Sequence, residues 1–403
     1  MLDVINDFLS GKVLIPLVLG LGTYFTIRSR FVQLRYFVHM ISVLRGSSHT
    51  GNNHLSSFQA LTLSLAGRVG TGNIVGVGIA LSMGGPGAVF WMWMTALLGM
   101  SSSFFECSLG QLYKRCDANG QYRGGPSWYI QHGLGKRWLG TIAALLLLVT
   151  FGFAINGLES HAVSHSLNNA FGLSTKWSGF TLSMLLGIVF VGGIKRIAAV
   201  ADLLVPLKVI AYIGVTLYVI VLQFDQVPGV LISIVKSAFG LDQAFGGLIG
   251  TAIIMGVRRG VFSNEAGLGS APNVASTAKI SHPVAQGVVQ ALSVFIDTIV
   301  ICTCTALIIL LSGFYIPGFE GDGIALAQNS LAAVVGDWGR MFISVVLALF
   351  VFTAMLYNYY LGENSLRFII ATPRKSLIAY RAFVLMLVFW GSVEDLSTVL
   401  AFA

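Results

Sequence analysis

Residues 66–78, AGRVGTGNIVGVG, put five glycines, an arginine and an asparagine into a segment otherwise apolar enough to span a membrane. Each glycine costs a helix about 1 kcal/mol relative to alanine, so the cluster Gly67, Gly70 and Gly72 invites the backbone to open. In lipid, opened backbone survives only where protein buries it or where it lines a cavity. The stretch therefore predicts a broken helix at a binding site.

The surrounding composition sets the solvent. The chain has 403 residues, 55% hydrophobic and 10% charged, with mean hydropathy +0.81, where soluble domains carry roughly 25% charged residues. It is expected to be a polytopic, all-α membrane protein. Its formal charge of +8 comes from basic residues in short loops between apolar runs, where they orient the chain; nucleic-acid binding is not expected. Cys107, Cys116, Cys302 and Cys304 lack zinc spacing and suggest small buried residues. The acidic Asp3 and Asp7 before the first apolar run argue against a cleavable signal peptide.

Ten runs are long enough to span, near residues 12–27, 56–83, 87–113, 138–160, 176–194, 197–223, 245–272, 284–313, 338–361 and 377–393. Phe31 to Arg45 mixes basic and apolar residues and is expected at the interface. With the N-terminus outside, every inward loop carries Lys or Arg, whereas outward segments hold Lys12, Lys176, Lys236 and Arg340 beside Glu320, Asp322 and Asp337.

A second break is expected at Gly256 to Pro272, GVRRGVFSNEAGLGSAP, five spans after the first. An odd separation makes the two broken helices cross in opposite directions, as inverted repeats require, and corresponding breaks in two inverted halves point to a carrier's central site. Opened helix ends offer amides to a carboxylate and carbonyls to a hard cation. Gly70, Thr71, Gly72 and Asn73 on one break, and Phe262, Ser263 and Asn264 on the other, offer both. Gly76 and Gly78 are expected simply to allow close helix packing.

Intramembrane charges cost several kcal/mol unless paired or solvated. Arg68, Glu106, Glu159, Asp202, Lys208, Arg258, Arg259, Glu265, Asp297 and Glu363 are the candidates. Arg68, Arg258 and Arg259 flank the breaks, and Glu265, Glu106 and Asp297 are their expected partners in gate or scaffold ion pairs. Glu159 stands toward the outer end of the fourth span beside Asn156, Ser160, His161 and His165. Thr353, a lone hydroxyl in ALFVFTAML, is by itself more often bonded back to its own helix than a ligand.

The runs GRVGTGNIVGV (67–77), GGPGAVFWMWMTALLGM (84–100), RGGPSWYI (123–130), RGVFSNEAGLGSAP (259–272) and FIDTIVICTCTAL (295–307) resemble the alanine or glycine:cation symporters, also called sodium:alanine symporters. The resemblance implies a leucine-transporter-like fold of five plus five inverted helices with an extra N-terminal helix. It places that helix and the interfacial segment in 1–45, the first repeat in 56–223 and the second in 245–403, within one transporter domain. It also implies sodium-coupled uptake of alanine or glycine at the cell membrane, with no cofactor beyond Na+ as coupling ion.

By position, Gly70 to Asn73 and Phe262 to Asn264 then contact substrate and sodium, and a further sodium site uses the carbonyls of Ala66 and Val69 with Thr353. Three departures accompany the match. Glu159 stands where the family usually has glutamine, Thr353-Ala354 replaces Thr-Thr near an absent tryptophan, and the chain stops at VEDLSTVLAFA, before the family's last helix. A proton-coupled or differently selective carrier, or an inactive truncated one, is the alternative expectation. The motifs HExxH and GxSxG and a Cys/His cluster are absent, so an intramembrane enzyme is not expected.

Overall fold

The computed structural model describes residues 8–45, 54–117, 120–241, 249–315, 323–370, 374–396 and 398–399. Glu320, Asp322, Asp3 and Asp7 lie outside them. The described chain is almost wholly helical, as its apolar runs require. Six helices are long and apolar enough to cross a membrane, and three shorter apolar ones accompany them.

We number the helices α1 (Ile15–Arg28), α2 (Phe37–Arg45), α3 (Ser57–Arg68), α4 (Gly72–Gly84), α5 (Gly87–Leu112), α6 (Pro126–Leu134), α7 (Arg137–Phe171), α8 (Thr175–Val191), α9 (Gly193–Leu222) and α10 (Val227–Ala238). They continue as α11 (Ile249–Asn264), α12 (Ala271–Ala275), α13 (Pro283–Leu310), α14 (Gly323–Val335), α15 (Trp338–Ile369) and α16 (Arg374–Val393). Each of the ten apolar runs falls on one of these helices or a pair of them. The run 56–83 is split into α3 and α4, and 245–272 into α11 and α12, so both expected interruptions are present. The short helices α6, α10 and α14 were not anticipated. Their charged or amide residues interrupt the apolar pattern, and α14 lies in what read as an outward loop.

Local chemistry explains the boundaries. Ser56 and Gln59 form a reciprocal cap at the start of α3: each side chain accepts the other's backbone N–H at 3.1 Å. In α7 a wide turn at Thr150–Ala154 is supported by the Asn156 side-chain amide, which donates to the carbonyls of Phe151 and Gly152 at 2.9 and 3.1 Å. A similar widening at Phe295–Cys302 lies within α13 and contains Asp297. The expected interfacial segment forms α2, with Met40 buried, Val38 exposed and Phe37 edge-on to Phe295.

Two groups of helices emerge. In one, α5 packs against α1, α11 and α13; in the other, α15 packs against α7, α9 and α14, with α16 covering α7 and α8. Between them α3 touches α9 and α15 on one side and α13 on the other. The first break therefore opens at the junction of the two groups.

Gly78 is where α4 meets α14: a Cβ there would lie 2.6 Å from the Gly323 carbonyl oxygen. A Cβ on Gly214 in α9 would meet no atom within 4 Å beyond its own stretch of helix backbone. Gly78→Ala is expected to destabilise the protein by about 1–3 kcal/mol, and Gly214→Ala to be neutral or stabilising by up to about 1 kcal/mol. Thermal unfolding in detergent checks both, and equal midpoints would contradict this packing.

Candidate substrate and cation site

The first break begins where Val69 leaves the helix, at φ −82°, ψ 82°. Gly70 turns the chain, and its N–H is held by the Asn73 side-chain oxygen at 2.9 Å. The second break follows Asn264. Glu265 adopts a left-handed backbone at φ +53°, as do Gly267 and Gly269 at +85° and +78°, a conformation uncommon outside glycine. The Glu265 carboxylate accepts from Ser270 Oγ at 2.6 Å and from the Tyr357 hydroxyl at 3.4 Å, which holds the turn.

The breaks meet. A Cβ on Gly72 would sit 2.9 Å from Ser263 Cα, so a side chain at that position would force them apart. Beside this contact is a cavity of about 450 Å³ lined by Arg68, Gly70, Thr71, Gly72, Glu159, Phe262 and Glu265, with the apolar Leu147, Phe151 and Ile155 opposite. Its size suits a small organic ligand. Thr71, Leu158 and Phe262 also line a second cavity, of about 170 Å³, which contains Arg259 and His161. Those three residues are common to both walls.

Glu159 is buried, and its Oε2 accepts from Asn358 Nδ2 at 3.1 Å. It thus lines the cavity rather than standing in an outer vestibule. Asn264 turns inward instead, its Oδ1 accepting the Ala266 N–H at 3.0 Å.

Asn73 and Ser263 converge on Asp297, which is fully buried. Asn73 Nδ2 donates to Asp297 Oδ1 at 2.6 Å, while Ser263 Oγ and Thr298 Oγ1 donate to Oδ2 at 2.9 and 2.7 Å. This cluster joins both breaks to α13. The Asp297 carboxylate with the Ser263 and Thr298 hydroxyls is an oxygen donor set for a hard monovalent cation, since each hydroxyl can turn a lone pair inward, while the Asn73 amide, whose N–H faces Asp297 and whose oxygen holds the Gly70 N–H, positions the carboxylate. The sequence signal for it was weak, because Asp297 read as an arginine partner and Thr298 did not stand out from its run.

The ion pairs expected of Arg68 and Arg259 are not formed. Among the described residues, no contact joins Arg68 or Arg259 to Glu106, Glu265 or Asp297 within ion-pair distance. Neutral groups bond Arg68 and Glu106 instead. Arg68 donates to the Gln290 carbonyl at 3.1 Å, to Ser103 Oγ at 3.0 Å and to Ser293 Oγ. Glu106 accepts the Gly267 and Gly269 amides at 3.3 and 3.2 Å. Ion pairs occur elsewhere: Arg123 with Asp117 at 2.8 Å, and Arg367 with Glu363 at 2.9 Å.

The position ascribed to Ala66, Val69 and Thr353 also differs from expectation. The Lys208 ammonium donates to the Val69 carbonyl at 2.8 Å and to Thr353 Oγ1 at 2.5 Å. Lys208 stood out in the sequence as an intramembrane charge, but nothing in the chain's linear order tied α9 to the first break.

Comparison with known proteins fits this arrangement. A model of the sodium:alanine symporter family matches residues 1–403. A probable sodium/glutamine symporter of Bacillus subtilis is 48% identical over 98% of this chain and 82% of its own length. An amino-acid carrier protein of the same organism is 45% identical over 99% and 84%. A sodium/alanine symporter of Methanococcus maripaludis is 35% identical over 99% and 89%. Among solved structures, a manganese transporter of Eremococcus coleocola shares the fold, with TM-score 0.58 and 14% identity over 82% of this chain and 69% of that one. With the family model spanning the whole chain and relatives matched along nearly all of it, the chain belongs to the sodium:alanine symporter family.

Proposed function

We propose that the chain imports a small neutral amino acid together with sodium by alternating access, and that the contact between its two breaks, Gly72 against Ser263, is the observation that carries this reading. On one side of that contact lies the cavity, where Gly70, Thr71 and Gly72 supply opened backbone for a substrate carboxylate. On the other lies Asp297, where an oxygen-rich cluster suits sodium. Sodium binding would brace the two breaks together and so favour the state that accepts substrate. The reading includes a cell-membrane location with the N-terminus outside, and inverted repeats over 56–223 and 245–403. It makes the chain a carrier rather than an enzyme.

Alanine and glycine are the substrates the family resemblance suggests. Glu159 favours a second reading within the same site. Its carboxylate lines a cavity larger than alanine needs and would accept an N–H from a carboxamide side chain. Similarity to a sodium/glutamine symporter supports glutamine as that substrate.

Proteoliposomes loaded by a sodium gradient are expected to take up labelled alanine, glycine or glutamine, and uptake indifferent to sodium would overturn the proposal. Asp297→Asn is expected to raise the sodium concentration for half-maximal uptake by about tenfold or more, equivalent to about 1.4 kcal/mol; an unchanged value removes Asp297 from the cation site. Glu159→Gln is expected to shift the ratio of glutamine to alanine uptake about tenfold toward alanine. An unchanged ratio would show that Glu159 does not read the side chain.

A further inference from the structure

Lys208 lies within α9, two residues after Pro206, and none of its surface is exposed. Its ammonium reaches the Val69 carbonyl at 2.8 Å and the Thr353 hydroxyl at 2.5 Å, and lies 4.9 Å from the centre of the Phe350 ring. A carbonyl, a hydroxyl oxygen and an aromatic face are three acceptors for a group with three N–H donors. The Thr353 hydroxyl donates to the Phe350 carbonyl at 3.0 Å, which leaves its oxygen free to accept from Lys208. The Ala66 carbonyl is 3.5 Å from the same hydroxyl. Sodium held by Ala66, Val69 and Thr353 would need these oxygens, and it would have to share them with a positive charge already seated among them.

We propose that the Lys208 ammonium is the chain's own cation at the Val69–Thr353 position, so that sodium does not bind there and each cycle carries one sodium, held at Asp297. The stoichiometry rests on the symport reading above, whereas the lysine's occupancy of the position does not. Tethered to α9, the ammonium joins the opened end of α3 to α15, the bridging role a bound ion would play. Unlike an ion, it does not leave when the site faces a compartment poor in sodium.

Two measurements on the full chain test this. In proteoliposomes, labelled sodium and labelled amino acid are expected to enter one for one, with a Hill coefficient for sodium near one; two sodium ions per amino acid would overturn the proposal. In detergent, Lys208→Met is expected to have a lower unfolding midpoint than the unsubstituted protein in choline chloride and to recover it in sodium chloride, with its Hill coefficient rising toward two. A Lys208→Met protein that responds to sodium as the unsubstituted protein does would also overturn it.

Should Lys208→Met not fold, Thr353→Val supplies the readout. It is expected to slow uptake while keeping half-saturation by sodium within about twofold, and a rise of about tenfold would make Thr353 a sodium ligand and overturn the proposal. Sodium-indifferent uptake by the unsubstituted protein would overturn the symport reading and the stoichiometry. Recovery of the Lys208→Met midpoint by sodium would still support the lysine's place.

Discussion

An opened helix inside a bilayer must find partners for its own backbone, and the rest of this structure depends on how that is done. Val69 gives its carbonyl to Lys208, and Gly70 its N–H to Asn73. Gly267 and Gly269 give their amides to Glu106. Each partner comes from a polar or charged residue that would be costly in lipid by itself. The glycines that weaken the helices and the charges that lie near them are therefore one device: the breaks supply dipoles to the charges, and the charges supply partners to the breaks.

This exchange explains why Arg68 is not paired with the carboxylates around the site. A buried ion pair must recover the desolvation of both members. Arg68 instead meets a carbonyl and two hydroxyls, and Asp297 meets an amide and two hydroxyls. Neutral dipoles distributed around each charge hold it without fixing it to a single opposite charge. Among the described residues, ion pairs lie toward the C-terminal end of α15, at Arg123, Asp117, Glu363 and Arg367, and at its start, between Arg340 and Asp337.

Much of this was legible in the sequence because composition and local propensity carried it. The apolar runs foretold the helices, and the glycines at 67–78 and 256–272 foretold the breaks, since both depend on residues adjacent in the chain. Glu159 was joined to Phe262 in one site through the family resemblance, not through anything local to either residue. What remained hidden depends on distance along the chain. Lys208 acts on Val69 and Thr353, and Asp297 on Asn73 and Ser263, across separations that no periodicity encodes. Charge-complementarity arguments pointed Asp297 and Glu106 toward arginines because opposite signs are visible in a sequence, whereas the direction of a hydroxyl or a backbone amide is not. The helix α14 was missed because its polar residues, such as Gln328 and Ser330, are buried against other helices rather than turned to water.

The supports of the two breaks differ in origin. Glu106, which holds the second, belongs to α5; Lys208 and Thr353, which hold the first, belong to α9 and α15. The two rims of the cleft thus take their backbone partners from different helix groups, while Tyr357 of α15 and Ser103 of α5 cross between the groups to Glu265 and Arg68. A tilt of one group against the other would alter the gap between Thr71 and Phe262, two of the three residues common to both cavities, and would load the Tyr357–Glu265 and Arg68–Ser103 contacts before the backbone bonds inside either rim. Motion between the two helix groups would then change the aperture while leaving in place the backbone bonds that shape each rim.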